Sequence, residues 1–156
     1  MPKSSPIQIS IKLRLKIIIF STICILLTCQ AQENILPAIQ QQEQILKRNP
    51  KDVQVLKELC FLYLHKADYH KVIEYGEELF RIGYEKQDYE YSLLYAHIAL
   101  GQAYVMLGDS SAINHLGQAS LLGKSANNYS ALCSVYNGMG LYASNINKDY
   151  YSALHY

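Results

Sequence analysis

Apolar side chains recur along most of this chain at intervals of three and four residues, the spacing of one helix face. Leu56, Leu59, Tyr63 and Leu64 fall in this way, and so do Val72, Ile73, Tyr75, Leu79 and Phe80. Leu93, Ile98, Ala99, Leu100, Tyr104 and Val105 mark another such run. Strict alternation of apolar and polar residues, the mark of a half-buried strand, is weak. After Gln32 there are only two prolines, Pro37 and Pro50. Asn49-Pro50 breaks one helix, and Asp52 can cap the next. Gly83, Gly108 and Gly123 stand where helices would stop. The pattern predicts helices near 33–48, 52–66, 69–83, 88–107, 110–124, 128–147 and 149 to the end, hence an all-α chain.

The first residues read differently. Residues 1–16 are basic with no acid, and Ile17–Leu27 is a mostly apolar run of 11 residues. About 20 residues are needed for a helix to cross a bilayer, so the run is short for an anchor. A basic start, a short apolar stretch and a small-residue exit make up a secretory signal, here residues 1–31. Cleavage after Ala31 would leave Gln32 first. The other reading is a lipoprotein box, Leu26-Leu27-Thr28-Cys29, with Cys29 acylated; Thr28 stands where Gly, Ala or Ser is usual. The expectation is export to the periplasm or cell envelope. Membrane contact is expected only if Cys29 is lipidated or the signal stays uncleaved.

Charge and cysteine content narrow the classes. From Gln32 onward ten basic residues meet all 13 acidic ones, a balance of −3. That argues against a nucleic-acid partner. Gly and Pro are too few for a low-complexity chain, 8 and 4. Cys60 and Cys133 are the cysteines of the folded part, 73 residues apart without CxxC spacing. A disulfide between them is one reading; two buried small apolar side chains is the plainer one.

The runs also repeat. Ala67-Asp68-Tyr69 recurs 41 residues later as Gly108-Asp109-Ser110 and another 40 later as Lys148-Asp149-Tyr150. Each turn follows a helix with a small residue in its middle: Cys60, Gly101 and Gly140. Each precedes a small or β-branched pair: Val72-Ile73, Ala112-Ile113 and Ala153-Leu154. Antiparallel helices approach closely only where a side chain is small, and bulky neighbours then interlock. On these residues, with Tyr63, Tyr104 and Tyr136 on the first helices, the chain resembles a tetratricopeptide repeat (TPR) protein. Ala38 and Pro50 match the end of a further, half repeat. The resemblance covers residues 33–156, divided into a half repeat 33–50 and repeats at about 52–84, 88–125 and 128–156, the last incomplete. The spacing is wider than the family's usual 34 residues, and HEAT-like pairs share that wider period. The resemblance implies an α-solenoid of antiparallel helix pairs whose concave face is lined by first helices. By it, Lys57, Phe61, Leu64 and His65 would face a partner, continued by Tyr95, Ile98, Gln102 and Val105, then Asn137, Leu141 and Ser144.

Residues suited to chemistry do not cluster. His65 and His70 flank one turn, and His97, His115 and His155 are scattered. No HExxH helix, GxSxG elbow or phosphate loop occurs. Glu74, Glu77 and Glu78, and Asp88 with Glu90, read as solvated helix faces. Neither a metal nor any cofactor is expected, and no catalysis. The function implied is binding of a protein or peptide by shape and apolar contact. The alternative is a truncated periplasmic sensor of a membrane-bound regulator, with a histidine kinase or DNA-binding output. The chain stops just into a second helix, where Tyr151, Leu154 and Tyr156 would be partly bare; self-association through that uncapped helix would cover them.

Overall fold

A computed structural model describes residues 35–146 and Lys148. The expected signal with Cys29, and the expected helix from residue 149 with its self-association, lie outside the described residues. Contacts divide the chain into two units at Pro37/Ala38. Of the first unit only Ile35–Pro37, the opening of α1, is described; everything below concerns the second. Among the described residues all regular structure is helical: α1 (Ile35–Arg48), α2 (Val53–His65), α3 (Tyr69–Lys86), a π-helical turn (Tyr89–Leu93) running into α4 (Leu94–Leu107), α5 (Ala112–Ser125) and α6 (Tyr129–Asn145). No helix among them is long and apolar enough to cross a membrane.

One local device ends most of these helices. Ala67, Gln87, Gly108, Asn127 and Lys148 all have φ between 52° and 75°. The next residue is Asp68, Asp88, Asp109, Asn128 and Asp149 in turn. At the first four, the amide of that Asp or Asn donates back to the helix it leaves: Asp68 N to Tyr63 O at 3.0 Å, and Asp88 N to Gly83 O, Asp109 N to Tyr104 O and Asn128 N to Gly123 O at 2.9 Å. This is the Schellman closure of a helix C-terminus. The same residue's side chain then opens the next helix. Asp68 accepts from Lys71 N at 3.3 Å, Asp88 from Tyr91 N at 3.2 Å and Ser92 N at 3.1 Å, and Asn128 from Ala131 N at 3.0 Å. Asp52 caps α2 through Gln54 N and Val55 N, as the sequence suggests. At Ala67-Asp68, Gln87-Asp88 and Asn127-Asn128 the pair stops one helix and starts another within two positions; after Gly108-Asp109 the next helix starts only at Ala112, with Asp109 accepting from Ser111 N.

The helices pack in sequence order: α2 on α3, α3 on α4, α4 on α5 and α5 on α6. In addition α2 packs on α4 and α4 on α6, while α3 and α5 are not such a pair. Two clusters of buried residues fill the interior. The larger joins α4, α5 and α6 through Leu94, Ile98, Val105, Leu116, Ala119, Val135 and Met139. The smaller joins α2, α3 and α4 through Leu56, Leu79, Ile82 and Ala96, with Leu46 of α1 against it. Glu43 of α1 accepts from Tyr63 Oη at 2.7 Å and Tyr75 Oη at 3.2 Å.

The small-against-large seam is found at several glycines. A Cβ on Gly101 would lie 2.8 Å from Leu116 Cγ, and one on Gly138 2.9 Å from Leu116 Cδ2. Leu116 of α5 thus sits between the backbones of α4 and α6. Cys60 is fully buried, its Sγ 3.9 Å from Val72 O, and burial pushes its thiol up to about 12. For Gly140 the expected facing helix lies outside the described residues.

Three expectations need correction. Gly83 and Gly123 do not stop helices. α3 continues to Lys86 and α5 to Ser125, and the two glycines instead let Leu93 and Leu132 approach. The stretch 88–107 is not one α-helix, because it opens with a π turn. Cys133 is exposed rather than buried, and both Cys60 and Cys133 are free.

The backbone sets the sign of three substitutions. Ala67→Gly relieves a left-handed alanine and should raise stability by about 1 kcal/mol, read from the urea midpoint at unchanged slope. Gly83→Ala should lower stability by about 1–3 kcal/mol, because the new methyl meets Ser92 Cβ at 2.9 Å and the Leu93 backbone at 3.0 Å. Gly117→Ala, with no atom within 4 Å, should raise stability by about 0.8–1 kcal/mol from helix propensity alone. The opposite signs of these two changes check the seam in one experiment.

Candidate functional site

Because α2, α4 and α6 lie side by side, residues spaced along their shared face meet across the gaps between them. A groove of about 330 Å³ runs over these helices. Phe61, Leu64 and His65 come from α2, Gln102, Val105 and Met106 from α4, and Ser134, Asn137, Gly138 and Leu141 from α6; Tyr69, the first residue of α3, closes one side. Among the described residues no acidic one lines it. Gln102 is fixed across it, donating from Nε2 to Ser134 O at 3.2 Å, which leaves its Oε1 without a partner among the described bonds. Met106 is 48% exposed and Leu141 38%, so this is apolar surface open to solvent.

Six of the sequence-predicted residues therefore come together in one groove: Phe61, Leu64, His65, Gln102, Asn137 and Leu141. Val105, predicted with them, lines it as well. Lys57 and Tyr95 lie beside it. The Tyr95 ring meets Phe61 edge-on at 6.2 Å between centroids and Tyr91 at 5.0 Å. The Lys57 ammonium lies over both tyrosines, 4.8 Å from the Tyr95 centroid and 5.2 Å from that of Tyr91. Its side chain is only 17% exposed. Burial works against that ammonium, but Tyr91 and Glu58 outweigh it and hold the Lys57 pKa above its ordinary value. Asn128 Nδ2 donates to Tyr95 Oη at 3.4 Å, tying the start of α6 to the same cluster.

Ile98 is a correction. It is fully buried within the α4–α5–α6 cluster and presents no surface to a partner. The reason lies in α4 itself: Leu94, Ala96, Ile98, Ala99, Leu100, Gly101, Ala103 and Val105 are all buried, so neighbours cover the helix nearly all round. Ser144, expected further along the face, bonds to Leu141 O within its own helix at 3.1 Å.

Tyr69, Met106 and Tyr91 belong to this region and were not singled out by sequence. Tyr69 reads as part of a turn, although the next helix starts on it. Tyr91 sits in the π turn, where the helical count that locates faces does not apply.

A second hollow of about 350 Å³ lies against α1, lined by Glu43, Leu46, Lys47, Pro50 and Tyr75. Its carboxylate is already engaged by two tyrosines, and burial with Glu43 raises the pKa of Tyr63 and Tyr75. Among the described residues no three His, Cys, Asp or Glu are grouped to hold a metal ion.

No protein-family model, curated protein or solved structure matches the chain.

The cation over Tyr91 and Tyr95 is measurable. A double-mutant cycle of Lys57→Met and Tyr95→Leu should give a coupling of about 0.5–1 kcal/mol in unfolding free energy. A coupling near zero would show the ammonium to be only passing over the rings.

Proposed function

We propose that this chain is a non-catalytic binding module of the TPR type, taking up an extended protein or peptide segment across the groove of α2, α4 and α6. The observation that carries this reading is the convergence of Phe61, Leu64, Val105, Met106 and Leu141 from three different helices on one open, acid-free groove. Two amides stand among them, Gln102 held by its bond to Ser134 O and Asn137 exposed. Apolar side chains would supply most of the contact energy, at roughly 25 cal/mol per Å² buried. Gln102 Oε1 can accept from a peptide N–H, and Asn137 can pair with the neighbouring peptide group. An extended segment suits such a site, because its backbone groups are unpaired along its length.

The solenoid arrangement is part of the proposal. First helices that touch first helices, with second helices that do not pair, support a row of hairpins bent toward the first-helix side. The left-handed residue plus Asp at the turn after each first helix supports the same reading. Residues 1–31 support placing the module in the periplasm or cell envelope. Its partner is then an envelope protein or peptide, without nucleic acid and without a cofactor.

Capture of a partner from envelope extract by the immobilised chain tests the reading. Phe61→Ala and Leu141→Ala should each lower capture by about tenfold, the size expected for an anchoring side chain worth over 1 kcal/mol. Leu121→Ala, on an exposed position outside the groove, should leave capture unchanged. Equal capture by all variants at unchanged circular dichroism would reject the groove as the binding face.

A further inference from the structure

His97 and His115, scattered in the sequence, meet in the α4–α5 hairpin. Their Nδ1 atoms lie 3.1 Å apart and their rings are 5.2 Å apart, tilted by 50°. The Phe80 ring of α3 stands edge-on to His97 at 5.2 Å, and Tyr104 of α4 lies 5.5 Å from the His115 ring. The charged groups around the pair are few. Asp109, ahead of α5, favours the charged form of His115, and Glu77 of α3 acts on Tyr104. No carboxylate among the described residues bonds to either imidazole, and α4 brings no other titratable group than Tyr104 to the contact.

We propose that His97 and His115 form an acid-opened latch that holds α4 against α5 and, through Leu116, fixes the groove wall. When both rings are neutral, one Nδ1–H donates to the other, unprotonated Nδ1. A first added proton goes to the free Nε2 of the donor ring and keeps the bond. A second has only the accepting Nδ1 left, which already faces an N–H. It can bind there only if the rings part. The latch thus tolerates one charge and fails at two.

Position gives the latch its reach. Leu116 follows His115 directly and fills the spaces left by Gly101 of α4 and Gly138 of α6. Gly138, with Gln102, Val105 and Met106 of α4, lines the groove. Parting the rings withdraws Leu116 from both glycines and loosens the α4 and α6 walls together. The latch holds whatever occupies the groove, so failure of the binding reading would leave it standing.

Burial first, and the neighbouring His115, lower the His97 pKa to about 4; burial likewise lowers that of His115. The open form therefore binds more protons than the closed one below pH 6.5. Stability falls as pH drops through that point, and the His97 share of the loss is complete below about pH 4. Each extra proton taken up by the open form shifts the closed-to-open ratio about tenfold per pH unit.

The test is proton NMR of the imidazole C2–H signals with amide exchange, from pH 7 downward, on the whole chain. Both rings should titrate below 6.5, and amides of α4 and α5 should exchange faster across that interval while those of α2 and α3 keep their protection. His97→Gln/His115→Gln should flatten the extra fall in urea midpoint that the unaltered protein shows there. Either ring titrating at or above 6.5, or exchange rising equally in all helices, overturns the latch. Should the double variant not fold, the NMR titration of the unaltered chain decides by itself.

Discussion

The packing depends on how close helix backbones can come to Leu116. Gly101 on one side and Gly138 on the other leave room for one leucine side chain between three helices. A helical glycine costs about 0.8–1 kcal/mol against alanine, a cost that close packing offsets at Gly101 and Gly138 and that nothing within 4 Å offsets at Gly117. The return is the burial of Leu116, Val135 and Ile98 at zero exposure and the alignment of α4 with α6. That alignment is what turns separate side chains on three helices into a groove. The binding face is thus a by-product of backbone proximity at two residues that carry no side chain.

Helix number and order were legible because both signals are local. Apolar spacing is read within a dozen residues, and Asp52, Asp68 and Asp109 announce helix starts directly. The junctions at Gln87-Asp88 and Asn127-Asn128 were placed to within a few residues, but the left-handed backbone that makes them was not read, because glutamine and asparagine announce it less plainly than glycine does. Glycine misled for the converse reason. At Gly108 it supplies a φ of 75°, whereas at Gly83 and Gly123 it supplies an absent Cβ. Sequence shows that glycine is there and not which of its two uses applies.

The groove was partly legible. Residues on the exposed side of α2 and α6 could be placed, because those helices keep a polar face to measure from. α4 has almost none, and so Ile98 was assigned to the surface while it lies in the core. The pairing of His97 with His115 was invisible for a different reason. They sit 18 residues apart on two helices, and their meeting depends on the depth to which Leu116 sinks between α4 and α6.

The π turn over Tyr89–Leu93 carries one more residue per turn than the α-helix around it. The turn has two sides: Tyr91 lies under the Lys57 ammonium, while Ser92 and Leu93 are buried against Gly83 of α3. Removing one would restore ordinary winding and rotate what precedes it by about 100° relative to α4. Tyr91 would then swing out from beneath the Lys57 ammonium, and Ser92 and Leu93 would leave their buried seats beside Gly83. Length variation here would therefore re-sculpt the aromatic shoulder of the groove only together with the contact of α3 on α4, so that recognition and interior are tied to each other at this turn.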